Sequence, residues 1–115
     1  MSAVKLKERL RGDLKIALKE RQASTASVLR TLIAALDNAE AVTGDGIQDN
    51  TQPRAFGDPS GEVARLTLDG AAVDALLGHE IDTRLSAAAD YERHGRTDDA
   101  DRLRAEAGLI GRYRA

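Results

Sequence analysis

Histidine and carboxylate side chains are where chemistry would be sought first in a chain of 115 residues without a cysteine. The run His79-Glu80-Ile81-Asp82-Thr83 begins like the helical zinc-protease motif, which needs a second histidine four residues after the first. Thr83 stands there instead. The other histidine, His94, lies ~22 Å further along the same predicted helix at 1.5 Å per residue, so one metal ion cannot be shared. Gly44-Asp45-Gly46 has the glycines of a phosphate loop but no Lys-Ser/Thr after it, and it lacks the oxygen ligands of a calcium loop. Glu80 and Glu106 would make a carboxylate pair only if a hairpin brought them together, and solvated helix surface is the ordinary fate of such residues. No nucleophile elbow and no Ser-x-x-Lys pair is present. The expectation is a chain with no catalytic residue, no cofactor and no metal.

The charge pattern carries more. Net charge is −2, yet residues 1–30 hold eight Lys/Arg against three acids, and residues 31–75 hold two against eight. At 100° per residue, Lys5, Arg9, Lys15 and Lys19 fall opposite the apolar stripe of the first predicted helix. Cations so arranged can follow a phosphate backbone and give salt-sensitive RNA binding. Against this, Glu8 interrupts the face and no aromatic stands near to stack on bases. A simple solvated face is the competing reading.

The elements that must carry these residues are helical. Hydrophobic residues make up 42% of the chain but aromatics only 3%, so a core must come from Leu, Ile, Val and Ala. Leu6, Leu10, Leu14, Ala17 and Leu18 mark a first helix over 3–21, with Gly12 inside it, a residue that a close packing contact would explain. Ser24 or Thr25 can cap a second, carrying Val28, Leu29, Leu32, Ile33 and Leu36 to about Ala41. Residues 43–66 hold both prolines and four of the ten glycines without a period, and read as a mobile loop. Asp69 caps a third helix of about 25 residues, Leu68 and Val73 make a hydrophobic staple across its start, and Val73, Leu77, Ile81, Leu85 and Ala88 continue its stripe. Gly95 closes that helix, Thr97 caps the next, and Ala100, Leu103, Ala107, Ile110 and Tyr113 line the fourth. Glu80 with Arg84, and Asp98 with Arg102, stand at i,i+4.

The predicted fold is therefore all-α, a single four-helix domain with a long third helix and a tight αα-hairpin at Gly95-Arg96 into the fourth. No apolar stretch has the length of a signal peptide or membrane span, so a cytoplasmic protein without membrane contact is expected.

Two segments, "SVLRTLIAALDNAE" (27–40) and "YERHGRTDDADRLRAEAGLIGRY" (91–113), resemble the most recognisable parts of the GatB/YqeY family. The matching positions include Arg30, Asn38, Glu40, Tyr91, Gly95, Arg96, Asp98, Glu106 and Tyr113. Members are small bacterial proteins, and the domain also forms the tail of the B subunit of the tRNA-dependent amidotransferases of translation. The resemblance implies a chain that matches only the family's N-terminal helical half, stopping where Leu-Pro and a second helical domain typically follow. It also implies a label of carbon-nitrogen ligase activity with glutamine as amido-N-donor, and tRNA or amidotransferase subunits as partners. An accessory module of that system and a helical module for protein interaction or homo-oligomerisation are the two leading functional expectations; an independent amide-transferring enzyme is a third, disfavoured because the sequence offers neither an amidase nucleophile nor an ATP-binding loop.

Overall fold

The computed structural model describes residues 2–45 and 68–114. Its four helices are α1 (Ala3–Lys19), α2 (Ala23–Asp45), α3 (Gly70–Arg93) and α4 (Thr97–Gly111). The described residues contain no strand. The all-α class, the long third helix and the tight turn into the fourth are as the spacing predicts. The predicted loop 43–66 is cut short at its start, because α2 runs on to Asp45; its remainder lies outside the described residues.

α1 packs on α2 and α3 on α4, giving two antiparallel hairpins that meet chiefly where α2 touches α4. The shared core is aliphatic, as the composition required: Leu6 and Leu10 from α1, Leu29, Leu32 and Leu36 from α2, Val73 and Leu77 from α3, and Ile110 from α4. Leu68 packs against this cluster just before α3. Asp69 caps α3, its side chain accepting from the Ala72 N–H at 2.8 Å. Ser2 does the same for α1 through the Lys5 N–H.

Both hairpins close in the same way. At the end of α3, the Gly95 N–H donates to the Glu92 carbonyl and the Arg96 N–H to the Tyr91 carbonyl, with Gly95 at φ +76°. At the end of α1, the Arg21 N–H donates to Leu18 and the Gln22 N–H to Ala17, with Arg21 at φ +59°. Each is a Schellman closure, whose left-handed position glycine fills at least cost. Arginine fills it in the first hairpin.

Four local expectations are corrected. α2 begins at Ala23, because the Ala26 N–H already donates to the Gln22 carbonyl; Ser24 and Thr25 therefore sit within the helix instead of capping it. α4 has Arg96 at its cap position with no side-chain cap bond, and Thr97 is its first residue. Leu18 and Leu85 remain 49% and 44% exposed, since each lies at the edge of its helix's apolar stripe, where the neighbouring helix no longer covers it. A Cβ on Gly12 would meet nothing within 4 Å, so no packing contact explains that glycine.

Candidate nucleic-acid interface

Lys5, Arg9, Lys15 and Lys19 are all exposed on the side of α1 turned from α2. Arg11 lies on the same outer arc. Helix geometry spreads the set over ~21 Å from Lys5 to Lys19. None of the five makes an ion pair among the described residues, and the same holds for Arg21 and Arg30 of the same hairpin.

The α3–α4 hairpin is the opposite case. Arg84, Arg93, Arg96, Arg102, Arg104 and the trailing Arg114 all pair with acids, largely of their own or the facing helix. Only Arg112 stays unpaired there among the described residues, and it shares a shallow depression of about 230 Å³ with Asp13 and Ile16 of α1. Opposite charges at i,i+3 and i,i+4 neutralise one another locally along α3 and α4. Unneutralised positive potential therefore concentrates on α1 and its flank.

The acids of the α1–α2 hairpin are largely committed elsewhere. Lys7 Nζ, on the inner flank of α1, reaches Asp37 Oδ1 at 3.0 Å and Glu40 Oε1 at 2.5 Å. Glu40 is buried at 3% exposure, and its hydrogen bond is the main cause holding the Lys7 ammonium above its ordinary pKa. Asp13 accepts from the Tyr113 hydroxyl. Glu8 on the outer arc of α1 and Glu20 at its C-cap remain exposed and unpaired among the described residues. Arg9 is positioned from beneath, its guanidinium 4.7 Å over the ring of buried Tyr113, a cation–π contact that leaves its polar edge free.

The carboxylates considered for acid–base work are brought together, but around a cation. Arg84 Nη1 lies 2.9 Å from Glu80 Oε1, and its Nε lies 3.2 Å from Glu106 Oε1. Both carboxylates are spent on this half-buried bridge. The predicted Asp98–Arg102 pair does not form: Arg102 turns instead to Asp99 at 3.6 Å and Glu106 at 3.3 Å. His79 is exposed, and His94 Nδ1 lies 2.8 Å from the Asp90 carbonyl oxygen. Among the described residues no group of three or more His, Cys, Asp or Glu is placed to hold a metal ion. No described helix is long and apolar enough to cross a membrane.

The positions that carry the family resemblance are scattered over this framework. Tyr91 lies under the Arg96 guanidinium at 4.9 Å, beside the turn made by Gly95, and Arg96 also pairs with Asp99 at 2.7 Å. Asp98 occupies the first turn of α4, where a negative charge suits the helix dipole. Arg30 and Asn38 are exposed on α2. Glu40, Glu106 and Tyr113 hold helices together. No family model matches the chain, and no curated protein matches it either.

Nothing in the local sequence marks Arg112 as part of this surface. Its place beside α1 depends on how the end of α4 folds back on the first hairpin, which no local spacing encodes.

Proposed function

We propose that this chain is a noncatalytic accessory module of the GatB/YqeY type that works in the cytoplasm beside a tRNA-dependent amidotransferase and contacts RNA through α1. Carbon–nitrogen ligation with glutamine as nitrogen donor is then the chemistry of the enzyme it assists. The observation that carries this reading is the contrast in charge pairing: the α3–α4 arginines other than Arg112 are neutralised within the fold, while Lys5, Arg9, Arg11, Lys15 and Lys19 are exposed without an ion-pair partner among the described residues. Such an arc suits a polyanion bound by its phosphates rather than by its bases. An electrophoretic shift of bulk tRNA at low salt tests it. The wild-type chain should retard tRNA, and Lys15→Glu with Lys19→Glu should abolish retardation without loss of helicity, because both side chains point away from Leu6 and Leu10.

One observation favours a second reading, a helical protein-interaction or oligomerisation module. Val4, Ile16 and Leu18, three of the four large apolar residues most exposed in the described chain, lie on α1. Sedimentation that shows a concentration-dependent dimer, together with no tRNA shift, would select that reading over the first.

A further inference from the structure

Gly12 sits inside α1, where glycine costs up to ~1 kcal/mol relative to alanine. Neither usual reason for a helical glycine applies to it. Its backbone is not in the left-handed region, and a Cβ there would meet nothing within 4 Å. Gly108 and Gly111 of α4 are equally open, so openness alone points to no ligand. What distinguishes Gly12 is its setting. Four of the five outward cations of α1 stand symmetrically about it, Arg9 and Lys15 three residues to either side, Lys5 and Lys19 seven to either side, and the fifth, Arg11, adjoins it.

In helix coordinates, the inner two lie ~4.5 Å along the axis and ~60° round from Gly12, and the outer two ~10.5 Å and ~20°. Gly12 is thus the floor of a saddle: bare backbone with two pairs of cations around it, none ion-paired among the described residues and one of them, Arg9, seated on the Tyr113 ring. Glu8, one turn away, and Ile16, one turn the other way, complete its rim. A ridge of negative charge entering this saddle meets all four cations at once and can approach the helix more closely than any side chain at position 12 would permit.

We propose that the sugar–phosphate backbone of RNA crosses α1 at Gly12, with Gly12 as a contact residue and Lys5, Arg9, Lys15 and Lys19 as the cations that flank the crossing. This rests on the RNA reading above and adds the place and manner of contact. Recognition through a backbone ridge is independent of base sequence.

Fluorescence anisotropy with labelled bulk tRNA at about 50 mM salt, run beside thermal unfolding, tests the crossing. Gly12→Leu should weaken binding by about one phosphate contact, roughly eightfold at this salt from ~0.7 decades per decade below 1 M. Gly12→Ala should weaken it by a smaller factor while raising the unfolding temperature, a combination that a purely structural glycine does not produce. Gly108→Leu should bind as the wild type does. If Gly12→Leu failed to fold, Gly12→Ala would carry the test. Wild-type binding that is unchanged in the Gly12 variants overturns the crossing alone, whereas no binding by the wild type overturns the RNA reading and the crossing with it.

Discussion

The Tyr113 hydroxyl donates to Asp13 Oδ2 at 2.5 Å, tying the residue just past α4 to the middle of α1. The two hairpins otherwise meet mainly through α2 and α4, so this bond spans the less packed side of the molecule. Tyr113→Phe keeps the buried ring and deletes the bond. A hydrogen bond to a charged acceptor is worth about 1.5–3 kcal/mol, and a loss near the lower end is expected because Asp13 is half-exposed and regains water. Tyr113→Ala, which also opens a cavity, should cost about 3–5 kcal/mol. Urea unfolding of the two variants checks both values; equal stability of the phenylalanine variant and wild type would show that the bond holds nothing.

Alkali should loosen the fold. Burial first, and then the hydrogen bond to Asp13, push the Tyr113 pKa up to about 12, and the bond to Glu40 raises that of Lys7. Both values are higher folded than unfolded, so their contribution is complete below the ordinary values near 10 and 10.5 and is lost as pH rises through the folded ones. The urea midpoint should therefore hold level from pH 8 to about 10 and fall between about 10 and 12. Tyr113→Phe should flatten the fall. A midpoint that rises over this interval would contradict the assignment.

The two hairpin turns should respond oppositely to glycine and alanine. Arg21 is a non-glycine residue at φ +59°, so Arg21→Gly should relieve strain and stabilise by roughly 0.5–1 kcal/mol after its larger unfolded-state entropy is counted. Gly95 at φ +76° takes the same position in the other turn, and Gly95→Ala should destabilise by about 1 kcal/mol or more. Thermal midpoints moving in opposite directions are the expected result.

Arg84 should be needed for the α3–α4 hairpin rather than for any reaction. Arg84→Met leaves Glu80 half-buried without a counter-charge and Glu106 with only the exposed Arg102, at a cost of about 2 kcal/mol. Adding Glu106→Gln should restore part of the loss, because one of the two like charges is then removed. A double-mutant cycle by chemical denaturation reads the coupling directly. No coupling would mean that the bridge is incidental.

The aliphatic periodicity made the helices and most of the core legible before any coordinates. Leu6, Leu10, Leu29, Leu32, Leu36, Val73, Leu77 and Ile110 are buried where the 3.6-residue spacing places them. Leu18 and Leu85 show its limit: periodicity marks a stripe but not the width a neighbouring helix covers. The turn at Gly95 announced itself through glycine, whereas the matching turn at Arg21 carried no such signal. The outward cations of α1 were readable from the wheel. Their lack of partners was not, since ion pairing across a hairpin depends on which helix faces which. The Glu80–Arg84–Glu106 bridge shows the same dependence, because its i,i+4 half was visible in the sequence and its cross-helix half was not.

The most direct test of an RNA-binding arc on α1 is the salt dependence of tRNA affinity for the wild-type chain. Each phosphate neutralised by Lys5, Arg9, Lys15 or Lys19 releases counterions, so the logarithm of the binding constant should fall against the logarithm of salt with a slope of about −3. Lys15→Glu with Lys19→Glu should bring the slope to about −1.5 or less, or remove measurable binding. A flat salt dependence, or no complex at tens of micromolar protein in low salt, would contradict the account and leave the basic arc as solvated surface.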